Sequence, residues 1–82
     1  MTDPGPQRLS RLRWLTRRGM KELDVMLERF VLQQSTELSD GAWPSFEAFL
    51  QSEDDRLWDW LQGRETPANT DYRALVEAIR RA

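Results

Sequence analysis

Met20, Leu23, Leu27, Phe30 and Val31 recur at i, i+3, i+7, i+10 and i+11. That spacing lays five apolar side chains along one face of an α-helix and fits no β-strand. The run extends from about Gly19 to Gln34 and is the longest periodic segment of the chain, so the other elements must pack around it. Val25 and Met26 widen its apolar face, which predicts a central helix covered on more than one side. Shorter segments repeat the pattern. Leu9, Leu12 and Leu15 recur every third residue between Gln7 and Thr16, with arginines between them. They predict an amphipathic helix with a basic outer face, and Trp14, off the stripe, covers a neighbouring helix. Phe46, Phe49 and Leu50 form the apolar side of a third helix starting at Ser45, with Ser45 or Pro44 near its cap. Ser52-Glu53-Asp54-Asp55 supplies a cap and an acidic first turn to a fourth, which carries Leu57, Trp58, Trp60 and Leu61 and stops at Gly63. Tyr72, Leu75, Val76 and Ile79 stripe a last helix from Asp71 to about Arg81, capped by Asn69 or Thr70. Ser35 to Pro44 crowds Ser, Thr, Asp, Gly and Pro together and reads as a loop. No stretch alternates with period two over strand length. The expected fold is all-α, a small single-domain five-helix bundle over residues 7–82. A loose arm over 1–6 precedes it, because Asp3-Pro4-Gly5-Pro6 does not hold a helix.

Composition then removes whole classes of chemistry. The chain has no cysteine and no histidine. Without them it lacks a thiol nucleophile, a disulfide, a thiolate metal site, and the side chain that most often serves as general base or metal ligand. No phosphate-cradling glycine loop is present. Glu53, Asp54, Asp55 and Asp59 are acidic neighbours, but Arg56 lies among them and no glycine-turned calcium loop surrounds them, so they read as a solvated helix face. These absences argue against a self-sufficient enzyme and imply neither a metal nor a cofactor held by the chain itself. No apolar run approaches the roughly 20 residues of a membrane span, and the N-terminus lacks the apolar core of a leader. The expectation is a soluble cytoplasmic monomer without membrane insertion.

The formal net charge of −2 conceals two unlike regions. From Gln7 to Lys21 there are six basic residues and no acid; from Glu22 onward there are six basic and thirteen acidic residues, a net of −7. A basic end with Trp14 in it suits a small nucleic-acid binder. The acidic body, a sequence pI near 5.1 and the lack of a nucleic-acid motif oppose that reading. Where the two regions meet lies the most unusual segment, Arg17-Arg18-Gly19-Met20-Lys21-Glu22-Leu23-Asp24. Glycine is a poor helix former, costing about 1 kcal/mol against alanine in a helix interior. At the mouth of the long helix it costs less and leaves bare backbone. Glu22 and Asp24 fall in the first two turns, where acids favour the positive helix end, and Arg18 is expected to project from the turn. Two readings fit: a rigid, charged recognition corner, or an ordinary helix–helix corner with glycine at the bend.

The octet Arg17 to Asp24, with Arg18-Gly19-x-x-Glu22 at its centre, resembles the signature of the SdhE family. These are small assembly factors that promote covalent attachment of FAD to the flavoprotein subunit of succinate dehydrogenase. Two further places carry the likeness, which spans nearly the whole chain from about Leu12: Asp54-Asp55-Arg56-Leu57-Trp58-Asp59-Trp60-Leu61, and Pro67-Ala68-Asn69 before the last helix. Lys21 stands where the family often has arginine, and Trp58 where phenylalanine is common. The resemblance implies a five-helix bundle that binds the apo flavoprotein of succinate dehydrogenase, and that of the related fumarate reductase. It places partner binding at Arg17, Arg18, Gly19, Met20, Glu22 and Asp24, with FAD handled by the partner. A general protein-interaction module, such as an antitoxin, is the alternative.

Overall fold

The computed structural model describes residues 6–82. The arm read over 1–6 lies outside them except for Pro6, which opens the first helix. Proline is tolerated at a first helical position, where its missing amide would have no partner anyway. The chain forms α1 (Pro6–Leu15), α2 (Lys21–Gln33), α3 (Ser35–Ser39), α4 (Phe46–Leu50), α5 (Asp54–Leu61) and α6 (Thr70–Arg81), and no strand occurs among the described residues. Helix α2 occupies the centre as its periodicity requires: Leu23, Leu27, Phe30 and Val31 are all buried. Helices α1, α3, α5 and α6 all pack against it.

Among the described residues there are six helices rather than five. The additional one, α3, forms within the segment that composition marks as a loop. The chain bends at Gln34 (φ −104°, ψ 20°) and resumes one helical turn at Ser35. Ser35 Oγ donates to the carbonyls of Val31 and Leu32, tying the new turn to the end of α2. Leu38 is fully buried, and its carbonyl accepts from the guanidinium of Arg8. Tertiary contact thus overrides a weak local propensity.

An aromatic chain runs through the core. Trp43 meets Phe30 edge-on at 5.6 Å, Phe30 meets Phe46 at 5.2 Å, and Phe46 stacks with Phe49 at 6.3 Å. Phe49 in turn stacks on Trp60 at 5.7 Å and meets Tyr72 edge-on at 5.3 Å. These contacts join α2, α4, α5 and α6, each pair contributing about 0.5–1.5 kcal/mol beyond the area it buries. Trp60 is buried and Trp58 half-buried, as residues two apart on a helix must be. Three expectations fail at the surface. Trp14 covers no helix and is 72% exposed; Val25 does not widen the core face and is 45% exposed; Arg8, placed on a basic outer face, is buried. Helix caps also differ from expectation. Asn69 does cap α6, its Oδ1 accepting from the amides of Asp71 and Tyr72. Ser52 does not cap α5, where Glu53 takes that place without a side-chain bond.

Candidate interaction site

The chain leaves α1 at Leu15, turns through Arg17, Arg18 and Gly19, and enters α2 at Lys21. Gly19 has φ +89°, a conformation that L side chains rarely adopt, and a Cβ built there meets nothing within 4 Å. Glycine is therefore required by backbone geometry, and the space beside it is open. Met20 is extended (φ −100°, ψ 106°), so α2 starts two residues later than the periodicity suggests. Its first hydrogen bond runs from the Asp24 amide to the Met20 carbonyl at 2.8 Å.

Asp24 holds the turn from inside. The Arg18 amide donates to Asp24 Oδ1 at 2.9 Å and the Gly19 amide to Oδ2 at 3.2 Å. Two successive amides thus converge on one carboxylate, the arrangement of a small anion nest, here filled by the chain's own acid. Asp24 is consequently a structural member of the corner.

Arg18 does not project. Its side chain is only 14% exposed and points across the molecule to the segment joining α4 and α5. Nε donates to Asp54 Oδ1 at 2.7 Å and Nη2 to the Ser52 carbonyl at 2.7 Å. Nη1 donates to the carbonyls of Leu50 and Leu15, the latter at 3.0 Å. A planar, permanently charged fork suits this arrangement of acceptors. Arg8 plays the matching role at the other end of α1. It is 6% exposed and donates to the carbonyls of Leu38 and Trp43. Trp43 has φ +57°, unusual outside glycine, and is held there by Arg8, by its indole bond to Gln34 Oε1 at 3.1 Å and by Phe30. The two arginines of α1 and its exit turn therefore fasten both ends of the stretch from Leu38 to Asp54.

The six residues singled out from sequence accordingly divide. Arg18 and Asp24 are spent inside the corner, and Met20 is half-buried against the core. Arg17, Gly19 and Glu22 are exposed, and none of their side chains makes a hydrogen bond or ion pair among the described residues. Asp54, which sequence reasoning placed on a solvated helix face, is instead the carboxylate that receives Arg18. The basic stretch also shrinks as a phosphate-binding surface: Arg8 and Arg18 face inward, and Arg11 pairs with Glu47 at 3.2 Å. Among the described residues no cluster of three His, Cys, Asp or Glu is placed to hold a metal ion, and no helix is long and apolar enough to cross a membrane.

The described residues thus form an all-α domain of six helices whose Gly19 corner is held by internal hydrogen bonds and faces solvent. Comparison with known proteins makes the assignment particular. The family described as "Flavinator of succinate dehydrogenase" matches residues 10–82, and the chain belongs to that family. It is 40% identical over 75 residues to the FAD assembly factor SdhE of Xylella fastidiosa, covering 92% of this chain and 77% of the relative. It is 35% identical over 74 residues to the protein of that name from Coxiella burnetii, covering 90% of each. With the Legionella pneumophila counterpart it shares 40% identity over 71 residues, 87% of this chain and 89% of the other. These relatives are named as assembly factors and not as enzymes. No solved structure gives a significant match.

Proposed function

We propose that this chain binds the apo flavoprotein subunit of succinate dehydrogenase and promotes covalent attachment of FAD there, acting as a monomer through the corner at Gly19. The observation that carries the reading is that Gly19 and Glu22 lie exposed on a turn fixed from within by Asp24 and Arg18, in a member of the flavinator family. Covalent attachment needs a nucleophile held beside the flavin. This chain has no histidine, so the attacking side chain belongs to the partner. What the corner supplies is shape. A surface that binds one arrangement of the partner more tightly than others raises the population of that arrangement by its difference in affinity. Holding the reacting groups in near-attack geometry then lowers the barrier without any catalytic group on this chain. The bare backbone at Gly19 permits close approach, and Glu22 and Arg17, both exposed at this corner, make charge-assisted contacts at the rim.

Glu22→Gln tests this. Glu22 bonds to nothing in the fold, so the variant is expected to unfold within about 0.5 kcal/mol of the parent chain. Its yield of protein-bound flavin fluorescence on purified apo flavoprotein is expected to drop tenfold or more, about 1.4 kcal/mol. Unchanged flavin attachment by a folded Glu22→Gln chain removes the proposed role of the corner. The fumarate reductase flavoprotein, assayed in parallel, shows whether the same surface serves both.

A further inference from the structure

Three large apolar residues are left exposed among the described residues: Trp14 (72%) on α1, and Val25 (45%) and Leu32 (58%) on α2. On α2, Lys21, Val25, Glu28 and Leu32 are spaced i, i+4, i+7 and i+11, and all four are exposed, so they form one outward row directly behind Gly19. Arg13 and Arg17 join this row to α1. They line one small recess with Asp24 and Glu28 of α2, and a second, of about 220 Å³, with Ser10 and Trp14. Isolated surface hydrophobes need no explanation, but apolar residues on one helix row, joined through shared basic residues to an exposed tryptophan and bordered by charge, fit an interaction surface.

The charge of the strip indicates what covers it. Among the described residues Arg13, Arg17 and Lys21 form no ion pair. Asp24 is occupied by the Arg18 and Gly19 amides, which leaves Glu28, and Glu22 at the corner, as the free acids beside these three cations among the described residues. Symmetric pairing of two copies through this face would bring together two surfaces of the same net positive charge, since a two-fold interface uses the same patch twice. A face with apolar centres and a carboxylate border fits instead. We infer that the docking surface for the flavoprotein subunit extends from the Gly19 corner along the seam of α1 and α2, with Trp14, Val25 and Leu32 as apolar anchors and Arg13, Arg17 and Lys21 meeting carboxylates of the partner. This rests on the function proposed above and enlarges its site to a second helix face.

The test is binding of the full chain to purified apo flavoprotein subunit, followed by biolayer interferometry at low and at physiological salt, with folding of each variant checked by urea unfolding. Val25→Gln/Leu32→Gln keeps good helix formers on α2 and is expected to weaken binding tenfold or more, mainly through faster dissociation. Arg13→Glu/Arg17→Glu is expected to slow association and to abolish the acceleration seen at low salt. If both double variants bind within about twofold of the parent chain while Glu22→Gln binds weakly, the extended surface is wrong and the corner stands. If the parent chain does not bind the flavoprotein at all, the function proposed above fails and this inference with it. Sedimentation of the parent chain as a dimer, with Val25→Gln/Leu32→Gln monomeric, would assign the strip to a second copy and overturn the inference.

Discussion

Replacing Arg18 by methionine keeps most of the aliphatic stem and removes the guanidinium that joins the α1–α2 corner to the α4–α5 segment. Four acceptors lose their donor: the carbonyls of Leu15, Leu50 and Ser52, and Oδ1 of Asp54. A hydrogen bond to a charged group contributes about 1.5–3 kcal/mol, but four such terms do not add. Asp54 is 34% exposed, so water replaces part of what it loses. Leu50 is buried, and a buried carbonyl left unpaired costs about 1–3 kcal/mol. The expected net loss is about 3 kcal/mol, near the low end for removing one partner of a buried ion pair. A chain of 82 residues at typical stability has roughly 4–12 kcal/mol in all, so this is a large fraction.

Thermal unfolding followed by far-ultraviolet circular dichroism is the assay. In a domain of this size 1 kcal/mol corresponds to about 4–8 °C, so the midpoint of Arg18→Met is expected to fall by about 12–24 °C. Arg18→Lys keeps the charge but not the fork, and is expected to recover less than half of the loss. Combined with Asp54→Asn, the Arg18→Met loss is expected to be non-additive by at least about 0.5 kcal/mol, because the two groups touch. An Arg18→Met midpoint within about 3 °C of the parent, the behaviour of an ordinary surface residue, would refute the internal role assigned to this arginine.

Two further substitutions probe the same framework. Gly19→Ala has room for its methyl group but must hold φ near +89°, so it is expected to lose about 1–2 kcal/mol by urea unfolding, and Gly19→Asn less, since asparagine tolerates the left-handed region. Arg8→Met removes the guanidinium that bridges the carbonyls of Leu38 and Trp43, which keep only the amides of Gly41 and Phe46, and is expected to lose about 1.5–3 kcal/mol in the same assay, whereas Arg13→Met, exposed and unpaired, stays within about 0.5 kcal/mol.

The helices that carry the core were legible because their apolar residues repeat at helical spacing, and burial of one face is what fixes a helix in place. That is why α2, α4, α5 and α6 lie within a residue or two of the periodic runs. Helix α3 was not legible. Ser35-Thr36-Glu37-Leu38-Ser39 has the composition of a loop, and its stability comes from Leu38 burial and from an arginine 30 residues earlier. The corner could be located but not sorted. Arg8, Arg13, Arg17 and Arg18 are the same residue type in one basic run, and only the carbonyls brought near Arg8 and Arg18 from 30 to 36 residues away separate inner from outer. Asp24 left a partial signal, an acid in the first turn just after an arginine-glycine pair. Leu32 left none, because its neighbours Phe30 and Val31 dilute a single outward leucine.

The sorting of charges bears on how an assembly factor of this family can act on a partner. Such a chain affects the partner's chemistry only through differential binding, and a floppy surface spends part of its binding energy on becoming ordered. Here the corner is held by bonds within the chain itself. Asp24 fixes the two corner amides, Arg18 locks the corner to α5, and Gly19 takes the one backbone conformation that other residues resist. The groups left over, Arg17, Lys21 and Glu22, are the ones with nothing else to do. On the function proposed here, loss of function would have two physical origins within one octet. Substitutions at Arg18 or Asp24 act by releasing the corner and must register in stability. Substitutions at Glu22 act at the surface and must not. A variant of the first kind that fails to support flavin attachment says nothing about contact with the partner until its fold has been measured.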